Sequence, residues 1–114
     1  MSIIRSQNKE ISFGPGLPTL RIGERINPTG KPEIQKNILA GKLDWLEGLA
    51  REQEAAGASV IGVNIGMPGI DESSLLVQAV EILEKISDLP LYIDSSLQNA
   101  LLSAIKVYPH KALV

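Results

Sequence analysis

Leu89-Pro90-Leu91-Tyr92-Ile93-Asp94-Ser95-Ser96 is a mostly apolar run that ends in an aspartate and two serines, and a helix-like pattern follows it at once. A buried parallel strand that delivers a carboxylate to the mouth of an α/β sheet or barrel has this form. Two other stretches repeat the plan. One runs from residue 20 into Gly23-Glu24-Arg25-Ile26-Asn27-Pro28-Thr29-Gly30, and the other, over 59–66, ends in Val63-Asn64-Ile65-Gly66. Three strands with polar groups at their carboxyl ends predict a shared site.

The segments between these strands carry helical periodicity. After the loop Asn27-Pro28-Thr29-Gly30-Lys31-Pro32, a short helix is expected over 33–39 and a longer one over 43–56. Leu43, Leu46, Leu49, Ala50 and Ala56 fall near one face of the longer helix, Trp45 sits at the edge of that stripe, and Gly57 stands at its C-terminal cap. Asp71 is placed to cap a third helix, in which Leu75, Leu76, Ala79, Val80, Leu83 and Ile86 recur at 3.6-residue spacing. Leu97, Ala100, Leu101, Ala104 and Ile105 outline a fourth, and 111–114 reads as the start of another strand. Upstream, Ile11-Ser12-Phe13 with Gly14-Pro15-Gly16 predicts a strand and turn entering 19–26 as a hairpin.

Strands that alternate with helices argue for a parallel sheet. A complete (β/α)8 barrel needs about 250 residues, so a chain of 114 would supply a little under half of one. An open flavodoxin-like sheet is the alternative. No Gly-x-Gly-x-x-Gly follows a strand, which disfavours a dinucleotide site.

Composition narrows the function classes. Net charge is −2, with 44% hydrophobic and 21% charged residues, so no basic excess points to nucleic acid. Without cysteine there is neither disulfide nor thiolate metal site. The N-terminus lacks a signal-peptide core, and no apolar run approaches the ~20 residues of a membrane span. A cytoplasmic protein without nucleic-acid or membrane partners is expected.

Asp94, at a strand end, can accept two parallel N–H bonds from a planar N–C–N edge such as the pyrimidine edge of a pterin. Its alternative role, shared with Ser95, is to cap the following helix. Strand alternation puts Glu24 and Ile26 on one face and Arg25 on the other. Glu24 then points into a barrel, or forms an ion pair with Arg21 or Arg25. Asn64 is a buried amide that needs partners, whether ligand or protein. Gly30, Gly66 and Gly69 read as turn residues, and Met67 as packing. His110, the only histidine, lies in a connection and is expected to be solvated; no metal-ligand spacing occurs.

Together, Ile22-Gly23-Glu24-Arg25-Ile26-Asn27-Pro28-Thr29-Gly30, Val63-Asn64-Ile65-Gly66-Met67-Pro68-Gly69-Ile70-Asp71-Glu72 and Ile93-Asp94-Ser95-Ser96 resemble the pterin-binding domain of methyltetrahydrofolate:corrinoid methyltransferases, as in cobalamin-dependent methionine synthase. Dihydropteroate synthase is a more distant relative with the same barrel. The three motifs occur in order, and the resemblance covers residues 20–114. It implies an α/β fold of (β/α)8 TIM-barrel lineage: the N-terminal portion only, about three and a half βα units, after an N-terminal arm or hairpin over 1–19. It also implies methyltetrahydrofolate as substrate and a corrinoid (cobalamin) on a partner domain or protein, whose Co(I) receives the N5 methyl group.

By the same resemblance, Asp94 holds the pterin ring. Glu24, Asn27 and Asn64 line the cavity, and Gly30 and Lys31 lie beside the folate. Two departures stand out. Gly62 replaces an aspartate usual in the family, and the residues that follow the fourth strand in the family, including those that act near N5, are not among these 114. The expectation is a domain inactive alone that pairs with a second half-barrel or forms a homo-oligomer. The alternatives are a non-catalytic self-associating half-barrel and a dihydropteroate synthase-like enzyme.

Overall fold

Alternation along the central strands settles which face of the sheet is buried. Ile61, Val63, Leu91 and Ile93 are each at most 1% exposed and belong to one apolar cluster, while Gly62 and Tyr92 between them face the other side. The computed structural model describes residues 2–114. Its elements are β1 (Ser2–Arg5), β2 (Glu10–Phe13), β3 (Ile22–Ile26), α1 (Pro32–Leu39), α2 (Leu46–Ala55), β4 (Val60–Val63), α3 (Glu72–Ile86), β5 (Leu91–Ile93) and α4 (Gln98–Val107). The fold is mixed α/β.

β3, β4 and β5 form a parallel sheet in sequential order. Ile22 pairs with Val60, and Ile61, Gly62 and Val63 pair with Leu91, Tyr92 and Ile93. Beyond β5, Leu113 makes a parallel bridge to Tyr92, and its N–H donates to the Leu91 carbonyl at 2.9 Å. The segment read as a fourth strand therefore begins to pair.

All four helices contribute to the single apolar cluster: Ile38 from α1, Leu46 and Ala50 from α2, Leu76, Ala79, Val80 and Leu83 from α3, Ala100 and Ala104 from α4. The α3 residues follow the i, i+3, i+4, i+7 spacing of one helical face. Asp71 caps α3, its side chain accepting from the Ser74 N–H at 3.2 Å. The helix expected over 43–56 begins later, at Leu46. No helix among the described residues is long and apolar enough to cross a membrane.

The N-terminal hairpin differs from expectation. β2 pairs antiparallel with β1, not with the strand that follows it. The turn lies at Ser6–Lys9, where Ser6 N–H donates to the Lys9 carbonyl at 2.8 Å. β1 is only four residues long, yet its Ile4 is 2% exposed. The hairpin is moored to the rest of the chain by polar contacts. Arg5 and Lys111 exchange backbone bonds of 2.6 and 3.1 Å. Ser6 Oγ donates to the Asp88 carbonyl, Asn8 Nδ2 donates to Asp88 Oδ1 at 2.6 Å, and Tyr108 Oη donates to the Arg5 carbonyl at 3.1 Å. His110 is not solvated as expected. Its side chain is 16% exposed, its Nε2 lies 3.0 Å from Glu84 Oε1, and its ring stands edge-on to Tyr108.

Burial pushes the Tyr108 phenol up to about 12 from 10.0; the Leu91 backbone opposes the shift and the Glu84 carboxylate adds to it. The folded-state value is the higher one. The unfolded chain therefore loses this proton first as pH rises, and the Tyr108 contribution, intact below pH 10, declines toward pH 12. Urea titrations across that range should show wild type losing more stability than Tyr108→Phe. At neutral pH the variant should be weaker by about 1 kcal/mol, for the lost bond to Arg5.

Candidate functional site

The polar residues at the carboxyl ends of the parallel strands converge because adjacent parallel strands place equivalent positions side by side. Asp94 N–H donates to the Val63 carbonyl at 3.0 Å, and Asn64 N–H donates to the Ile26 carbonyl at 2.9 Å. Across this step Asn64 Nδ2 donates to Asp94 Oδ2 at 3.3 Å, and Asn64 Oδ1 accepts from the Gly66 N–H at 2.8 Å. The Gly66 bond fixes which end of the amide is the acceptor. Asn64 therefore turns its NH2 group toward Asp94, and Asp94 Oδ1 has no protein partner among the described residues.

Glu24, Asn27, Asn64 and Asp94 all line one small cleft of about 80 Å³, together with Ile26, Gly62, Val63 and Tyr92. Its lining carries two carboxylates and no cation. A second hollow, of about 490 Å³, shares Asn64 and Asp94 and continues over Gly66, Met67, Pro68, Glu72 and residues 95–97. The two meet at the Asn64–Asp94 pair. A larger groove of about 570 Å³ lies between β3 and α2 and touches neither residue.

β3 carries an irregularity that redirects Ile26 and leaves no mark in the sequence pattern. Gly23 pairs with Ile61 and Ile26 with Val63, so β3 takes three steps where β4 takes two. The extra residue is a β-bulge, which re-aims side chains at the strand end. Strict alternation would put Glu24 and Ile26 on the same face. With the bulge, Ile26, only 1% exposed, joins the helix-side core, while Glu24 lines the cleft. Arg25 forms its ion pair with Glu52 of α2, at 3.2 Å, rather than with Glu24.

A buried glutamine holds the bulge. Gln53, 4% exposed, accepts the Arg25 N–H on Oε1 at 3.2 Å, and its Nε2 donates to the Leu49 carbonyl. A Cβ on Gly23 would lie 2.2 Å from that Oε1, so only glycine leaves room for it. Gln53→Leu should orphan the Arg25 N–H and cost about 1–3 kcal/mol. Chemical denaturation measures the loss.

Gly30 and Lys31 do not line the cleft. Lys31 Nζ donates to the Arg25 carbonyl at 2.9 Å, which completes the polar partners of the bulge, and Gly30 sits in the turn before α1 with a φ of 69°. Asn27 Oδ1 accepts from the Thr29 N–H at 2.9 Å, which leaves its NH2 group for the cleft. Asp94 does not cap α4. Ser95 does the local turn work instead, its Oγ accepting from the Leu97 N–H at 3.1 Å.

Two residues at the site escaped the sequence reading. Tyr92 looked like one more apolar strand residue, although alternation from Asp94 would have placed it on the same face. Glu72, the first residue of α3, closes the second motif without a role assigned to it there; it is 7% exposed, and it accepts a hydrogen bond from Ser95 Oγ. No family model matches the chain.

Proposed function

We propose that this chain is the pterin-binding wall of a methyltetrahydrofolate:corrinoid methyltransferase, built on the first strands of a (β/α)8 barrel. Two features support the barrel. The strands run in sequence order with no reversal, and the core cluster takes residues from every helix on one side of the sheet.

The observation that carries the function is the Asn64–Asp94 pair at the mouth of the parallel strands. Asn64 orients the carboxylate and leaves Asp94 Oδ1 free to accept. A flat ring with adjacent N–H donors, such as the pyrimidine edge of a pterin, complements it. An acidic lining without a cation suits such a donor-rich heterocycle and repels phosphate. Asn27 adds amide donors and Glu24 a further acceptor.

In methyl transfer the tertiary N5 is a poor leaving group until it gains positive character. Positioning the ring and stabilising that charge are what a protein contributes, and the carboxylates of this cleft favour positive charge nearby. The corrinoid, carried by a partner protein or domain, would supply the Co(I) nucleophile. The cleft, at about 80 Å³, is well below the ~300 Å³ of ordinary ligand pockets. A second half-barrel, or another copy of this chain, would complete the wall and cover the exposed Leu102 and Ile105 of α4.

Calorimetric titration with methyltetrahydrofolate tests the reading. We expect weak binding by the chain alone, with Kd on the order of 0.1–1 mM, and no methyl transfer without a completing partner. Absence of heat at millimolar ligand would overturn it.

A further inference from the structure

We propose that Glu72 is a positioning residue of this site, holding the turn after β5 so that Asp94 stays opposite Asn64; the inference rests on the pterin reading. A carboxylate that is only 7% exposed needs hydrogen bonds to offset its lost hydration. Glu72 has no cationic partner among the described residues, and the capping of α3 is already done by Asp71. Its partner is Ser95, the residue after Asp94, whose hydroxyl donates to Glu72 Oε2. Ser95 Oγ is already an acceptor for the Leu97 N–H at 3.1 Å, so its one proton is available to Glu72; the Leu97 carbonyl, at 3.4 Å, is the weaker alternative acceptor.

On its other side the carboxylate lies over Gly66. A Cβ there would sit 3.2 Å from both Glu72 Oε1 and Asn64 Oδ1. The N–H of the same Gly66 donates to Asn64 Oδ1 and so sets the direction of the Asn64 amide. One buried side chain thus holds the 94–97 turn through Ser95 and faces Gly66 of the 64–71 loop closely enough that a Cβ there would meet it. An apolar residue of similar size would serve packing alone at lower desolvation cost, so the carboxylate is explained by what it orients.

The test compares Glu72→Ala, Glu72→Gln and Ser95→Ala in the full 114-residue chain. Glutamine keeps an acceptor for Ser95 and should bind methyltetrahydrofolate within about twofold of wild type. The two alanine variants should lose about tenfold in affinity, as expected for one hydrogen bond to a charged group. Their Asn64 side-chain NH2 resonances should move, with hydrogen-exchange protection at Ile61 and Ile93 unchanged. Wild-type affinity together with unmoved Asn64 resonances in Ser95→Ala would overturn the proposal. That variant decides the matter if Glu72→Ala fails to fold. If even wild type binds no pterin, the functional reading fails by itself. The Asn64 resonances then judge the positioning role: moved in the alanine variants they support it, unmoved they refute it.

Discussion

Asp94→Asn should weaken methyltetrahydrofolate binding by about ten- to a hundredfold, the worth of a hydrogen bond to a charged acceptor of about 1.5–3 kcal/mol. Half of the new amide would meet ring N–H donors with N–H donors of its own. The fold should survive the change, because the Asn64 NH2 group can still donate to the new amide oxygen as it now does to Asp94 Oδ2, and because the backbone bond to Val63 is untouched. Calorimetry and a thermal melt on the same samples separate the two effects. Unchanged affinity in the variant would remove Asp94 from the site.

Gly62→Asp should destabilise the chain by about 3 kcal/mol or more, combining overpacking with an unpaired charge. The substitution restores the carboxylate usual in the family that the sequence resembles, yet this backbone has no room for it. A Cβ at Gly62 would lie 2.9 Å from the Gly23 carbonyl oxygen, 3.4 Å from Ile22 and 3.7 Å from the Tyr92 ring. The first of these is backbone, next to the bulge, and cannot swing aside as a side chain would. The added charge would also enter a cleft that already holds Glu24 and Asp94. Here the glycine, the neighbouring tyrosine and the bulge form one arrangement, and urea denaturation of the variant measures the cost of breaking it. Stability equal to wild type would mean that β3 can move away from β4 at little cost.

Much of the fold was legible because apolar periodicity reports burial. The runs around Ile61 and Ile93 and the stripe from Leu76 to Leu83 each named their element and buried face, and Asp71 named a helix start. Parallel order brings Glu24, Asn64 and Asp94 to one end of the sheet, whereas Asn27 was placed at the cavity by the resemblance. What stayed hidden depends on tertiary partners. The bulge at β3 leaves no mark in a pattern of alternating residues, since it is set by Gln53 reaching across from α2. Gln53 and Glu72 are polar residues whose burial comes from what packs over them. The pairing of β2 with β1 instead of β3 was missed because a four-residue strand carries too little pattern to reveal its partner. His110 was misplaced for a similar reason: Glu84, its partner, is 26 residues away.

A chemical-shift map on the isotopically labelled chain, titrated with methyltetrahydrofolate, tests the central claim most directly. The account predicts that the Asn64 side-chain amide and the backbone signals of Asn27, Gly62, Tyr92 and Asp94 move together along one saturating curve, while the exposed face of α4 stays still. Shifts confined to the groove between β3 and α2, or no shift at millimolar ligand, would contradict it.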